Sequence, residues 1–190
     1  AADVANKVWD ASAPCADHPY LTRKGVASHG LRVGRWEMAE RETGEINLIS
    51  DNALLVPLRD VKKRIFSLQA VFPSKLLGDR DKDYLRDGAK EGLFYSFGKP
   101  VPGPDGRAVI MIGEGYATLA SAHECTGHAA IAAFDAGNLV HVGRAIRARY
   151  PDACLLFLAD NDQWTTTPVS NPGLTAARAA AAAAGGLLAM

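Results

Sequence analysis

The stretch AVIMIGEGYATLASAHECTGHAAIAAFDAGNLVHVGRAIRARYPDACLLFLADND (108–162) decides the fold. It holds three continuous apolar runs: AVIMI (108–112), AAIAAF (129–134) and ACLLFLA (153–159). An apolar run without alternation is the signature of a strand buried on both faces. Helix-length segments separate the runs, over about 116–125 and 138–149, with Pro151 soon after the second. A third helix is predicted over about 172–184, ending at Gly185-Gly186, and LLAM (187–190) begins a fourth strand. The alanine run 176–184 is low in complexity but is also the best helix-forming composition available. The order β-α-β-α-β-α, joined by right-handed crossovers, predicts an α/β fold with a parallel sheet flanked by helices.

Ligands of such sheets bind beyond the carboxyl ends of the strands. Here every such end carries an acid: Glu114 between Gly113 and Gly115, Asp135 in the FDAGN turn, and Asp160 and Asp162 in ADND. Residues two apart in extended chain point to the same face, so Asp160 and Asp162 can serve one cation while Asn161 points away. Glu114 lies two βα units earlier and can reach them only through the fold. Carboxylates with no His or Cys nearby suit a hard ion such as Mg²⁺, which takes one or two carboxylates and keeps waters for substrate phosphates. Asp135 and Asn138 read as helix caps. His123 and His128, at the far end of the first helix, read as surface or cap residues.

Outward from this core, the first half is mixed. Residues 2–11 place Val4, Val8 and Trp9 at helical spacing, and HPYLTRKGV (18–26) is a short helix ending near Gly25. LRVGRW (31–36) is a candidate strand, and 41–52 reads as a loop or irregular hairpin. ALLVPLRD (53–60) and RIFSLQAVF (64–72) form a hairpin around Val61-Lys62-Lys63. Residues 73–91 are charged and read as exposed, and GLFYSFG (92–98) closes this half as a strand. KPVPGPDG (99–106), rich in proline and glycine, marks the boundary. The expected organisation is therefore a smaller α+β lobe over 1–103 and the parallel-sheet domain over 104–190.

The chain has 190 residues, with 21 basic and 21 acidic side chains, so net charge names no partner and only clustered charge can mark one. Three scattered cysteines argue against a disulfide framework or a zinc site and point to a reducing, cytoplasmic setting. No apolar run approaches the length of a membrane span. The first residue is not Met and the chain stops as an apolar stretch opens, which reads as a piece of a longer protein.

GEGYATLASA (113–122), LADND (158–162) and NPGLTAARAA (171–180) together resemble the Toprim domain, a Rossmann-like module. Primases of bacterial type, topoisomerases, some nucleases and recombination proteins share it. Its marks are a Glu after the first strand and an Asp-x-Asp after the third. HPYLTRKGV, ALLVPLRD, the Ser67-Leu68-Gln69 strand, DYLRDG and GLFYSFG resemble the lobe that precedes Toprim in bacterial-type DNA primases, above all those of plasmids, phages and integrative elements. Two departures stand: Thr118 occupies a position that is often acidic, and no second acidic pair follows before Met190.

The resemblance implies RNA primer synthesis on single-stranded DNA template from ribonucleoside triphosphates, with Mg²⁺ or Mn²⁺. It implies Glu114, Asp160 and Asp162 as the catalytic, metal-binding residues, with Asp160 and Asp162 as ligands and Glu114 either a third ligand, directly or through water, or a general acid-base group. Template binding falls to the first lobe, where Arg59, Lys62, Lys63 and Arg64 form the denser basic cluster and Arg23 with Lys24 a second, against the reading that both are solvated faces. A replicative helicase, or a fused helicase or relaxase domain, would fit as partner. Tyr20, Trp36 and Tyr84 are candidates for base stacking or, more commonly, for packing. Arg144 and Arg147 share a helix face read as solvated. Trp164, two residues after the acidic pair, is a candidate nucleotide contact. A Toprim nuclease or topoisomerase-like enzyme, and a non-catalytic DNA-binding scaffold, stay open as alternatives.

Overall fold

A computed structural model describes residues 1–76 and 78–190, and the chain divides into two compact units, Ala1–Ala89 and Lys90–Met190. The second unit is a five-stranded sheet: β6 (Tyr95–Phe97), β7 (Val109–Gly113), β8 (Ala129–Ala132), β9 (Cys154–Leu158) and β10 (Leu187–Ala189). Its spatial order is β10-β9-β7-β8-β6. The β10–β9, β9–β7 and β7–β8 pairs are parallel, and β6 runs antiparallel to β8. The crossovers are α3 (Tyr116–Thr126), α4 (Leu139–Arg149) and α5 (Pro172–Ala184).

Apolar burial explains this architecture. Ile110, Ile112, Ile131, Leu155 and Phe157 pack with Leu139, Val142 and Ile146 of α4 and with Ala177, Ala180, Ala181 and Ala184 of α5. Those alanines recur at helical spacing, so the low-complexity run is a packing stripe whose small side chains let α5 lie close to the sheet and α4. Arg147 is not part of a solvated face, as its sequence neighbourhood suggested. Its guanidinium donates to Ala184 O (2.8 Å) and Gly185 O (2.9 Å), capping the carbonyl end of α5, and to Pro151 O and Ala153 O.

Two readings of the first half change. The segment Tyr95–Phe97 pairs with β8 and belongs to the second sheet, so the units part at Ala89 and Lys90, before the proline-rich segment. Proline and glycine mark turns, whereas a unit boundary is set by which strands pair, and pairing is non-local. Within 73–91, β5 (Lys82–Tyr84) adds to a sheet edge, and Asp83 and Tyr84 are half-buried.

The first unit is an antiparallel sheet of order β1-β2-β3-β4-β5, with β1 (Ala13–Pro14), β2 (Arg32–Ala39), β3 (Ile46–Arg59) and β4 (Ile65–Val71). The irregular hairpin of 41–52 is real: the β2–β3 pairing slips around Trp36. The helix α1 (Ala2–Ala11) buries Ala5 and Trp9 with Trp36, Ala53, Leu55, Leu68, Ala70 and Phe72. Trp36 also donates to Asp83 Oδ2 at 3.2 Å. The helix α2 (Pro19–Lys24) starts under a His18 side-chain cap and stops at Gly25, whose φ of 65° suits a residue without Cβ. No helix among the described residues is long and apolar enough to cross a membrane.

Candidate functional site

The acids sit where the topology puts them. β7 and β9 are adjacent and parallel, so their carboxyl ends lie side by side, and Glu114 follows one while Asp160 follows the other. Gly113 permits the approach: a Cβ there would stand 2.6 Å from Leu119 Cδ2 and 3.1 Å from the Leu158 carbonyl oxygen. On the other side, Ala133 and Phe134 donate their amides to Gly113 O (2.8 Å) and Glu114 O (2.9 Å), prolonging the β7–β8 ladder past the strand. Gly115 is the N-cap of α3 in extended conformation. Glu114 is thus gripped on both flanks by backbone.

The Glu114 carboxyl pays for this placement. Its Oε1 is buried and has no hydrogen-bond partner. Burial, followed by the charges of Asp160, Asp162 and Asp135, pushes its pKa from 4.5 to about 7. A partly buried carboxylate among like charges is unlike a structural ion pair, and that makes Glu114 a candidate site residue.

The Asp-x-Asp segment is fastened to the start of α5. Asp162 N–H donates to Asn171 Oδ1 (3.0 Å), and Asn171 Nδ2 donates to Asn161 Oδ1 (2.9 Å). Asp162 Oδ2 accepts from Gly173 N (3.0 Å). Asn171 has φ of 43°, a left-handed conformation that Asn tolerates, and its Oδ1 also caps α5 by accepting from Leu174 N. Gly173 must be glycine, because a Cβ would stand 2.6 Å from Asp160 O and 2.8 Å from Asp162 Oδ2. Sequence reasoning gave neither Asn171 nor Gly173 a role at the site. The signal was Asn-Pro-Gly, a cap followed by a proline in the first turn.

Glu114, Asp160 and Asp162 therefore come within electrostatic reach of one another. Among the described residues, however, no three His, Cys, Asp or Glu side chains form a group able to hold a metal ion. One Asp162 oxygen accepts from the Gly173 amide, which leaves its other oxygen for an ion. The donor chemistry still fits a hard divalent cation. All candidates are carboxylate oxygens, one is buried without a partner, and Mg²⁺ needs only one or two from the protein. Asp135 is the cap it was read as: Oδ1 accepts from Asn138 N at 3.0 Å, and Oδ2 pairs with Lys90 at 3.1 Å. His123 is not a base at this end, because its Nδ1 meets the His128 carbonyl oxygen at 2.6 Å beyond the far end of α3.

The basic residues lie in the first unit, on separate elements. Arg23 and Lys24 are exposed at the end of α2, with Arg23 donating to Pro73 O. Lys62 and Lys63 are exposed in the β3–β4 turn. Arg64 is bound to Asp60 (Nη2–Oδ2 2.6 Å) and lies 5.4 Å from the Phe66 ring centre. Arg59 is half-buried 5.2 Å from the Trp9 ring centre, a cation–π arrangement within the unit. Of the aromatic candidates, Tyr20 and Trp36 are buried, and the Tyr84 hydroxyl accepts from Gln69 Nε2 at 2.7 Å, so packing accounts for all three.

Comparison with known proteins agrees with this geometry. Residues 109–188 match the Toprim domain family. Over 173 residues, 88% of the chain, the sequence is 35% identical to the DNA primase TraC of Escherichia coli, of which it spans 10%. The fold resembles a DNA primase domain from Pseudomonas aeruginosa (TM-score 0.52, 20% identity, covering 87% of this chain and 56% of that one). It also resembles the DnaG primase catalytic domain bound to single-stranded DNA (TM-score 0.51, 11% identity, covering 85% of this chain and 58% of that one). The chain thus carries a segment, 109–188, that matches the Toprim domain family, and over most of its own length it is similar to a part of a DNA primase.

Proposed function

We propose that this chain is the catalytic core of a DNA primase from a mobile element, making RNA primers on single-stranded DNA from ribonucleoside triphosphates. One observation carries the reading: Glu114 stands half-buried, its Oε1 without a hydrogen-bond partner, beside Asp160 and Asp162 at the strand ends of a Toprim-like sheet. The homology to a DNA primase and the resemblance to a primase domain bound to single-stranded DNA support the choice of reaction.

Asp160 and Glu114 would hold Mg²⁺ or Mn²⁺, with Asp162 contributing the oxygen not bonded to Gly173; such an ion neutralises phosphate charge and makes an attacking hydroxyl more acidic. Where Glu114 does not hold the ion, burial and its acidic neighbours push its pKa up to about 7, and it can instead act as a general acid-base group. The start of α3 after Gly115 carries the partial positive charge of a helix N-terminus, which favours a phosphate. Arg23, Lys24, Lys62 and Lys63 would carry the template strand by contacts to phosphate, with Arg59 and Arg64 stiffening the same turn. A cytoplasmic setting fits this chemistry, and a replicative helicase, or a helicase or relaxase domain of the parent protein, would supply template.

The test is incubation with single-stranded template, ribonucleotides and Mg²⁺ or Mn²⁺. Extension products that Asp160→Asn abolishes are expected. Template shortening without extension would instead make the chain a Toprim nuclease. The bond from Asp162 to Gly173 favours one further reading, a DNA-binding scaffold without catalysis, which requires biological activity unchanged by Asp160→Asn.

A further inference from the structure

The loop between Asp162 and Asn171 holds a large aromatic side chain in solvent. Trp164 is 88% exposed, whereas Trp9 and Trp36 are 8% and 2% exposed. An indole is worth burying, and a loop serving stability alone would tuck it in. The loop is not loose at its neck. Thr165 N–H donates to Asp162 O (2.8 Å), and Asn171 N–H donates to Thr165 O (2.9 Å). Asn171 Oδ1 holds Asp162 N from the other side. Trp164 therefore occupies the third position of a closed four-residue turn that starts at a carboxylate of the site. In such a turn the end Cα atoms lie within about 7 Å, so Trp164 stands in a tight turn two residues from Asp162. Residues 163–170, QWTTTPVS, carry no charge and are all exposed. A flat, uncharged partner suits that surface better than a phosphate does.

We propose that Trp164 is a stacking platform for a nucleobase, belonging to the nucleotide or strand whose phosphates engage the Glu114, Asp160 and Asp162 end of the sheet. The inference rests on the primase reading and names the part of the substrate that reading leaves unheld. Every base offers a π-face, so the platform adds affinity without choosing sequence.

The contrast in exposure makes the test specific, because Trp164 is the exposed indole and the other two are buried. The chain is titrated with a ribonucleoside triphosphate and Mg²⁺, and separately with a single-stranded DNA oligonucleotide. Indole emission and calorimetric heat are followed together. Quenching by the nucleotide assigns the base of the incoming substrate, and quenching by the oligonucleotide alone assigns a base of the strand. Trp164→Phe should abolish the quenching and keep binding within about threefold. Trp164→Ala should weaken binding roughly 5- to 10-fold, the low end for one stacked base. Calorimetric binding with emission unmoved, or Trp164→Ala binding as tightly as the parent, would overturn the platform and leave the primase reading standing. Failure of both ligands to bind would overturn the two together.

Discussion

Replacing Glu114 with Gln should stabilise the metal-free protein, and the gain should depend on pH in a defined sense. Glu114 titrates near 7 in the folded chain against 4.5 as its ordinary value, chiefly because it is buried and then because Asp160, Asp162 and Asp135 repel its charge. Between these two values the folded chain holds a proton that the unfolded chain has lost, so stability falls as pH rises through this window. Each tenfold in the proton equilibrium is worth 1.36 kcal/mol, and solvent around this half-exposed carboxyl screens part of the effect, so the parent loses roughly 1–2 kcal/mol by pH 8. Gln keeps the shape and cannot ionise. Urea denaturation of parent and Glu114→Gln, without divalent metal, should therefore show curves that coincide near pH 4 and separate by roughly 1–2 kcal/mol at pH 8, with the variant more stable. Adding Mg²⁺ at pH 8 should narrow the gap by stabilising the parent more than the variant. A gap that is the same at both pH values, or a variant less stable at pH 8, would refute the picture of Glu114 as an uncompensated buried carboxyl.

Other substitutions probe the supports. Gly173→Ala drives a Cβ onto Asp160 O and Asp162 Oδ2 and should cost roughly 1–3 kcal/mol by overpacking; primer synthesis should fall with it, and a fully active, fully stable variant would show the contact to be soft. Arg147→Ala removes the charged cap of α5 and should cost about 2–3 kcal/mol in urea denaturation, with Arg147→Lys recovering only part, because an ammonium cannot span the same set of carbonyls. His18 is buried with both ring nitrogens in use: Nδ1 accepts from Tyr20 N (3.2 Å), so Nε2–H donates to Asn52 O (3.1 Å). Burial lowers its pKa, so its contribution is complete above about pH 6.5 and is lost as pH falls below that. Hydrogen exchange at α2 amides should quicken from pH 7 to 5.5, after correction for intrinsic rates, and His18→Asn should flatten the trend; exchange isolates it from Glu114, which acts in the opposite sense.

The second unit was legible because its strands announce themselves. Runs 108–112 and 153–159 became β7 and β9 to within a residue, and the helix read over 172–184 became α5. The run 129–134 became the shorter β8, because Phe134 turns out of the strand with φ of 75° just before the Asp135 cap. A run of six apolar residues cannot say where the ladder stops. Pairing was the harder inference. Nothing local in GLFYSFG says that it joins β8 across the intervening prolines, and nothing in a charged segment says that Lys82–Tyr84 completes a sheet edge. Trp36 illustrates the point: its indole N–H reaches an aspartate far along the chain, and that contact follows from the sheet rather than from either segment.

At the candidate site, residue type and strand end were enough to expect Glu114, Asp160 and Asp162 near one another, because topology alone sends the ends of β7 and β9 to one place. What the pattern left out is how the carboxylates are held apart. Asp162 is both a site residue and a structural one: one oxygen secures Gly173 at the start of α5, while Asn171 secures its amide. This double use has a physical logic. Three carboxylates at one strand end repel, and fixing one of them with a helix-start amide, a natural donor to an anion, lowers that repulsion without introducing a cation that would compete with substrate. Glu114 receives no such donor at Oε1 and keeps the elevated pKa. The site thus divides its labour. Asp162 is anchored and sets geometry, Glu114 is left responsive to pH and to positive charge, and a ligand that brings positive charge gains most at Glu114.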